Sequence, residues 1–203
     1  MRSSADVSVE RLPVGSIGHH ATGWWAMLGV IATESALFGY LLFSYFYIAA
    51  QPHTGVFPPE LPRLTLALPN TIILLLSSVT VWLCERAARE GRENSEFLGI
   101  SATLALGIIF VIVQMFEWKN KMSSLHSSVY GSLYFTTTGF HMAHVAIGLL
   151  MLVAVLVWRL RGYFGPHRHT YVSIAAIYWH FIDAVWLCVF FTYYLVPYLS
   201  GQS

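Results

Sequence analysis

The run from Trp24 to Ala50 is predominantly apolar and carries a single charged residue, Glu34, near its middle. At about 1.5 Å per residue, a helix of this length crosses the roughly 30 Å hydrocarbon layer of a bilayer. A carboxylate ionised against lipid at that depth is strongly destabilised, so Glu34 has to face a protein partner. The run therefore cannot be an isolated anchor. It must belong to a bundle that brings a polar side chain to Glu34.

Four more apolar stretches follow, giving spans of about 24–50, 66–84, 97–118, 129–158 and 172–198. With 56% hydrophobic and only 10% charged residues in 203, the chain reads as an all-α polytopic membrane bundle rather than a soluble domain. It has a polar N-terminal arm, 1–21, and one five-helix domain, 22–203. The arm lacks an apolar core and is not expected to be a cleavable signal peptide. Eleven basic and ten acidic residues nearly cancel, so no global charge draws in nucleic acid. Cys84 and Cys188 fall within apolar runs, without CxxC or metal-ligand spacing, and read as packing residues. Trp24 and Trp25 at the start of the first span, Trp158 at the end of the fourth, and Tyr163 and Phe164 just after it suit the membrane interface.

Charge in the loops sets an expected orientation. Arg2, Arg11, Arg86, Arg89, Arg92, Arg159, Arg161 and Arg168 share one side, against Arg63, Lys119 and Lys121 on the other. The asymmetry predicts a cytoplasmic N-terminus and an external C-terminus. Arg86, Arg89 and Arg92 serve as this topology signal and, with Arg159, Arg161 and Arg168, are candidates for contact with phospholipid headgroups. His167 and His169 fall beside Arg168 in a polar loop and read as solvated.

Each span carries its polar residues at helical spacing. Tyr130, Tyr134, Thr137, His141 and His144 form one stripe, and Ser173, His180 and Asp183 another. Asn70, Ser77 and Cys84 align in the second span, as do Gly107, Gln114 and Glu117 in the third. Gly39, Gly107, Gly131, Gly139 and Gly148 would let backbones approach while polar side chains bond across helices. Glu34 has His141, His144, His180 and the tyrosines as candidate partners, and spacing alone does not choose among them. Histidines beside carboxylates also suit a metal or haem site. Against that, the HxxH pair has no matching pair on a second helix, which favours a hydrogen-bonded seam without a metal; lipid or subunit contact is the alternative for part of it, and Glu34, a lone intramembrane acid, stays a functional candidate.

Several of these residues fall in recognisable groups. Val129-Tyr130-Gly131-Ser132, Thr138-Gly139-Phe140-His141-Met142-Ala143-His144-Val145 and Tyr178-Trp179-His180-Phe181-Ile182-Asp183-Ala184-Val185-Trp186 resemble subunit III of the haem-copper terminal oxidases. Thr33-Glu34, Asn70-Thr71 with Leu74-Leu75-Leu76-Ser77-Ser78, and Gln114 with Glu117-Trp118 extend the resemblance over residues 22–198 in order. Seven-helix members have two spans ahead of the glutamate-bearing helix, so this chain resembles the five-helix bacterial form.

The resemblance implies a non-catalytic subunit of a bacterial inner-membrane oxidase. Such a subunit packs beside the catalytic subunit I, and haem and copper are expected in its partners rather than in this chain. The complex reduces oxygen to water and pumps protons, and the implied role of this subunit is to sustain proton uptake and turnover stability. Glu34 matches the buried carboxylate of the family, and His141, His144, His180 and Asp183 its intramembrane polar set. Competing readings are an accessory protein of a nitric oxide reductase, a self-contained haem-binding membrane reductase, and a small proton-coupled transporter using Glu34.

Overall fold

The computed structural model describes residues 22–51, 61–62, 64–125, 128–161 and 170–199. The N-terminal arm, most of the proline-bearing loop after the first span, Arg63, and the 4–5 loop with Tyr163, Phe164, His167, Arg168 and His169 lie outside the described residues. Among the described residues the chain is helical, with no strand, and five helices are long and apolar enough to cross a membrane. These are α1 (Thr22–Ala49), α2 (Leu64–Arg89), α3 (Glu93–Leu125), α4 (Val129–Leu160) and α5 (Thr170–Phe190). A π-helical turn, Phe191–Leu195, and a short α6, Val196–Leu199, continue the last span.

Two helices run further than the apolar stretches predict. α2 continues past Glu85 because its last turns are laced by the i,i+4 ion pairs Arg89–Glu85 (2.6 Å) and Arg86–Glu90 (2.9 Å). Gly91, at φ 68°, then reverses the chain in a conformation that residues with a Cβ rarely adopt. α3 runs on through the polar segment after Trp118, where Lys121 turns back onto Glu117 at 2.7 Å. At the start of α4, Ser128 caps the helix by accepting the Gly131 N–H at 2.9 Å.

Helices α2, α3, α4 and α5 close a ring, each packing on its neighbours, and α1 lies against the α4–α5 seam. All four ring helices meet on one side chain, Trp179 of α5. A Cβ on Gly107 of α3 would approach Trp179 Cη2 to 2.8 Å, and one on Gly148 of α4 would come within 3.0 Å of its Cε3. The indole is thus held between two glycines, while its N–H donates to Ser77 Oγ of α2 at 2.9 Å. Two turns on, Trp186 repeats the device by donating to Thr71 Oγ1 of α2 at 3.0 Å. Both indoles are fully buried. The small-residue expectation therefore holds at Gly107 and Gly148, whereas Gly39 faces open space.

α1 is the outlier. Phe38 and Tyr45 are its only buried residues, and Tyr40, Phe43, Phe46 and Tyr47 are exposed. Of the cysteines, Cys84 is buried as expected and Cys188 lies on the surface.

Candidate functional site: an intramembrane polar seam

The stripe of α4 faces inward as its spacing predicts, with Tyr130, Tyr134, Thr137, His141 and His144 all buried. The structure then selects the partner of Glu34. Its Oε2 lies 2.7 Å from His144 Nε2, joining α1 to α4. His144 Nδ1 lies 2.6 Å from the carbonyl oxygen of Phe140, which can only accept, so Nδ1 carries a hydrogen. A hydrogen bond between Glu34 and Nε2 then requires one further proton between them, on the carboxyl or on the imidazole. Phe38 covers the imidazole edge-on, with ring centroids 5.1 Å apart.

His141, one turn earlier on α4, has a different task. It is fully buried, and its Nε2 donates to the backbone carbonyl of Ile182 on α5 at 3.3 Å. Its ring lies 4.9 Å from that of Trp186. His180 turns to α2, where its Nδ1 lies 2.9 Å from Ser78 Oγ, and the same hydroxyl hydrogen-bonds Asp183 Oδ2. The three histidines thus engage α1, α5 and α2 separately. Among the described residues no three His, Cys, Asp or Glu side chains converge in a way that could hold a metal ion.

Glu117 belongs to a further part of the seam. Tyr194 donates to its Oε1 at 2.6 Å and Lys121 Nζ lies 2.7 Å from the same oxygen. Tyr134 and Tyr194 are 2.8 Å apart through their hydroxyls, and Gln114 Nε2 donates to Tyr134 at 3.3 Å. The Lys121 ammonium also lies over both tyrosine rings, 4.4 and 4.2 Å from their centroids. Neighbouring Tyr193 and Tyr194, both fully buried, lie in the π-helical turn. Pro197 has no N–H for the carbonyl of Tyr193, four residues before it, and Tyr130 donates its hydroxyl to that carbonyl at 2.6 Å instead.

At the opposite end of the bundle, four of the arginines proposed for headgroups have acidic partners. Arg86 and Arg92 both pair with Glu90, and Arg89 with Glu85. Arg86, hydrogen-bonded to the exposed Glu90, holds its carboxyl below the usual carboxylate range. Arg159 is mostly buried against Glu96 and also donates to the carbonyl of Glu93 at 2.7 Å. It therefore ties α4 to α3. Arg161 is exposed at the end of α4.

Sequence reasoning missed Ser78, Lys121 and Glu96 as members of these sites. Lys121 follows Glu117 at the i,i+4 spacing that favours an ion pair. Ser78 stands seven residues after Thr71 and seven before Glu85, a second stripe beside the one through Ser77. Glu96, in the first turn of α3, gives no local sign of its partner 63 residues away.

Comparison with known proteins places these features in a family context. The family described as Cytochrome c oxidase subunit III matches residues 18–198. Cytochrome c oxidase subunit 3 of Synechocystis is 36% identical over 202 residues, covering 95% of this chain and 85% of the relative. The Drosophila melanogaster protein of the same name is 33% identical over 177 residues, covering 84% and 68%. That of Loxodonta africana is 36% identical over 143 residues, covering 70% and 54%, so this chain spans about half the length of that relative.

Proposed function

The chain belongs to the cytochrome c oxidase subunit III family, and on that premise we propose that it is a non-catalytic subunit of a respiratory haem-copper oxidase. In this reading it is a multi-pass protein of a bacterial inner membrane, and it packs beside catalytic subunit I. Its partners hold the haem and copper that reduce oxygen to water, while this chain supports proton uptake and the durability of turnover. Its exposed apolar helix surfaces meet phospholipid and neighbouring subunits.

The observation that carries the reading beyond family membership is the Glu34–His144 hydrogen bond. α1 buries only Phe38 and Tyr45, so little apolar packing secures it. A charge-assisted or strong neutral hydrogen bond in a low-dielectric setting can fix such an edge helix against its neighbour. We assign Glu34 this holding role. The proton shared by the pair is its means of attachment.

Two variants test the assignment. In Glu34→Gln the amide can donate to His144 Nε2, so the helices stay joined while the titratable group is gone. In Glu34→Ala the imidazole nitrogen is left unpaired. The oxidase carrying Gln should keep its full complement of this subunit and turn over normally, and the Ala variant should lose the subunit during purification. A Gln variant that retains the subunit but shows altered proton pumping or faster inactivation would overturn the holding role in favour of a titrating one.

A further inference from the structure

Ser78 of α2 stands between two ionisable side chains of α5, with His180 Nδ1 on one side and Asp183 Oδ2 on the other. Asp183 is buried, and its second oxygen, Oδ1, meets no hydrogen-bond donor among the described residues. His180 is only half-buried, and among the described residues its Nε2 has no protein partner.

The other buried carboxylates of the bundle face a cationic or imidazole group. Glu117 faces Lys121, Glu96 faces Arg159, and the half-buried Glu34 faces His144. Among the described residues Asp183 has no ion pair, and its side chain is held by a hydroxyl that touches an imidazole.

A hydroxyl between a carboxyl and an imidazole permits two complete hydrogen-bond arrangements. In the first, the Asp183 carboxylate accepts from the Ser78 hydroxyl, whose oxygen accepts from His180 Nδ1–H, and Nε2 is bare. In the second, the Asp183 carboxyl donates to the Ser78 oxygen, the Ser78 hydroxyl donates to His180 Nδ1, and Nε2 carries a hydrogen. The two differ by one proton. We propose that Ser78, His180 and Asp183 form a proton-loading site, in which a proton taken up at His180 Nε2 is held as a proton on Asp183.

The step balances without any other reactant. A proton binds Nε2, the Nδ1 proton passes to Ser78 Oγ, and the former hydroxyl proton passes to Asp183 Oδ2. No heavy-atom bond forms or breaks and no electron moves. Release runs the same path backwards. The titratable groups on the helices packed against α5 include three with partners of their own. Glu85, seven residues beyond Ser78 on α2, is paired with Arg89. On α4, His141 donates to the carbonyl of Ile182, the residue before Asp183. On α1, Glu34 is engaged by His144.

The test is infrared difference spectroscopy of the chain in its native complex, titrated with pH. The protonated-carboxyl band of Asp183 and the imidazole bands of His180 should change together with one midpoint, and Asp183→Asn should remove the carboxyl band. Ser78→Ala keeps both end groups but removes the link, so the two signals should separate to different midpoints. Ser78→Thr restores a hydroxyl and should restore the shared midpoint, which guards against a folding defect being read as a loss of linkage. Independent midpoints in the unsubstituted protein, or a shared midpoint that survives Ser78→Ala, would overturn the proposal. Subunit content and oxygen consumption of the same samples report on the oxidase role separately, because the relay can fail while the chain remains an assembled subunit.

Discussion

Gly148 is the position where one added methyl group tests how this bundle is packed. A Cβ there would lie 2.9 Å from Ile182 Cδ1, 3.0 Å from Trp179 Cε3 and 3.2 Å from Cζ3. The isoleucine methyl can move. The indole cannot readily do so, because Gly107 is packed on its other side and its N–H is bonded to Ser77. Gly148→Ala should therefore overpack the core by one methyl, a destabilisation of about 1–3 kcal/mol. Alanine is also the better helix former, by up to about 1 kcal/mol, so a control must isolate that gain. Gly39→Ala supplies it, since nothing lies within 4 Å of a Cβ there. Trp179→Phe removes the six-membered ring that causes the clash, at a loss of its own of about 1–3 kcal/mol for the cavity and the missing hydrogen bond. The double variant Gly148→Ala with Trp179→Phe should then be more stable than the sum of the two losses predicts, by about 1 kcal/mol. The assay is unfolding in mixed micelles by titration with a denaturing detergent, followed by loss of helicity. If Gly148→Ala matches Gly39→Ala and adds independently to Trp179→Phe, the indole is not the centre on which the four ring helices meet.

Three further outcomes are expected. Arg159→Ala leaves Glu96 without its cation where both side chains are mostly buried, and should destabilise by about 1–3 kcal/mol in the same titration. Arg86→Ala, at an exposed i,i+4 pair, should change stability by less than about 0.5 kcal/mol, and equal effects would show that burial does not set the difference. In a background with Cys84 and Cys188 replaced, single cysteines at Ser4 and Gly91 should label from the cytoplasmic side and one at Gln202 from outside. The reverse pattern would contradict the orientation drawn from the arginines.

The spans and their inward faces were legible because a polar residue in an apolar helix has few places to go. Tyr130, Tyr134, Thr137, His141 and His144 declared one face, and all are buried. The partner of Glu34 was not legible, because His141 and His144 share that face and His180 lies on another helix at unknown depth. The choice depends on how α1 meets the α4–α5 seam, which hydropathy does not encode. Helix ends were misplaced for a different reason. Glu85-Arg86 and Lys119 mark where apolarity stops, whereas the helices stop where ion pairs and Gly91 allow. The π-helical turn left one sign, Pro197, whose missing N–H frees a carbonyl in the preceding turn. Its answering donor, Tyr130, lies 63 residues earlier and could be found only in three dimensions.

If the chain sustains an oxygen-reducing enzyme without taking part in its chemistry, as proposed above, its removal should spare the metal centres and shorten the enzyme's working life. The measurement is oxygen consumption of the complex purified with the chain and from cells lacking it, with haem and copper content determined in both. Equal metal content and a similar initial rate are expected, followed by faster loss of activity during turnover when the chain is absent. Progress curves that coincide throughout, or an immediate loss of activity together with haem or copper, would contradict that role.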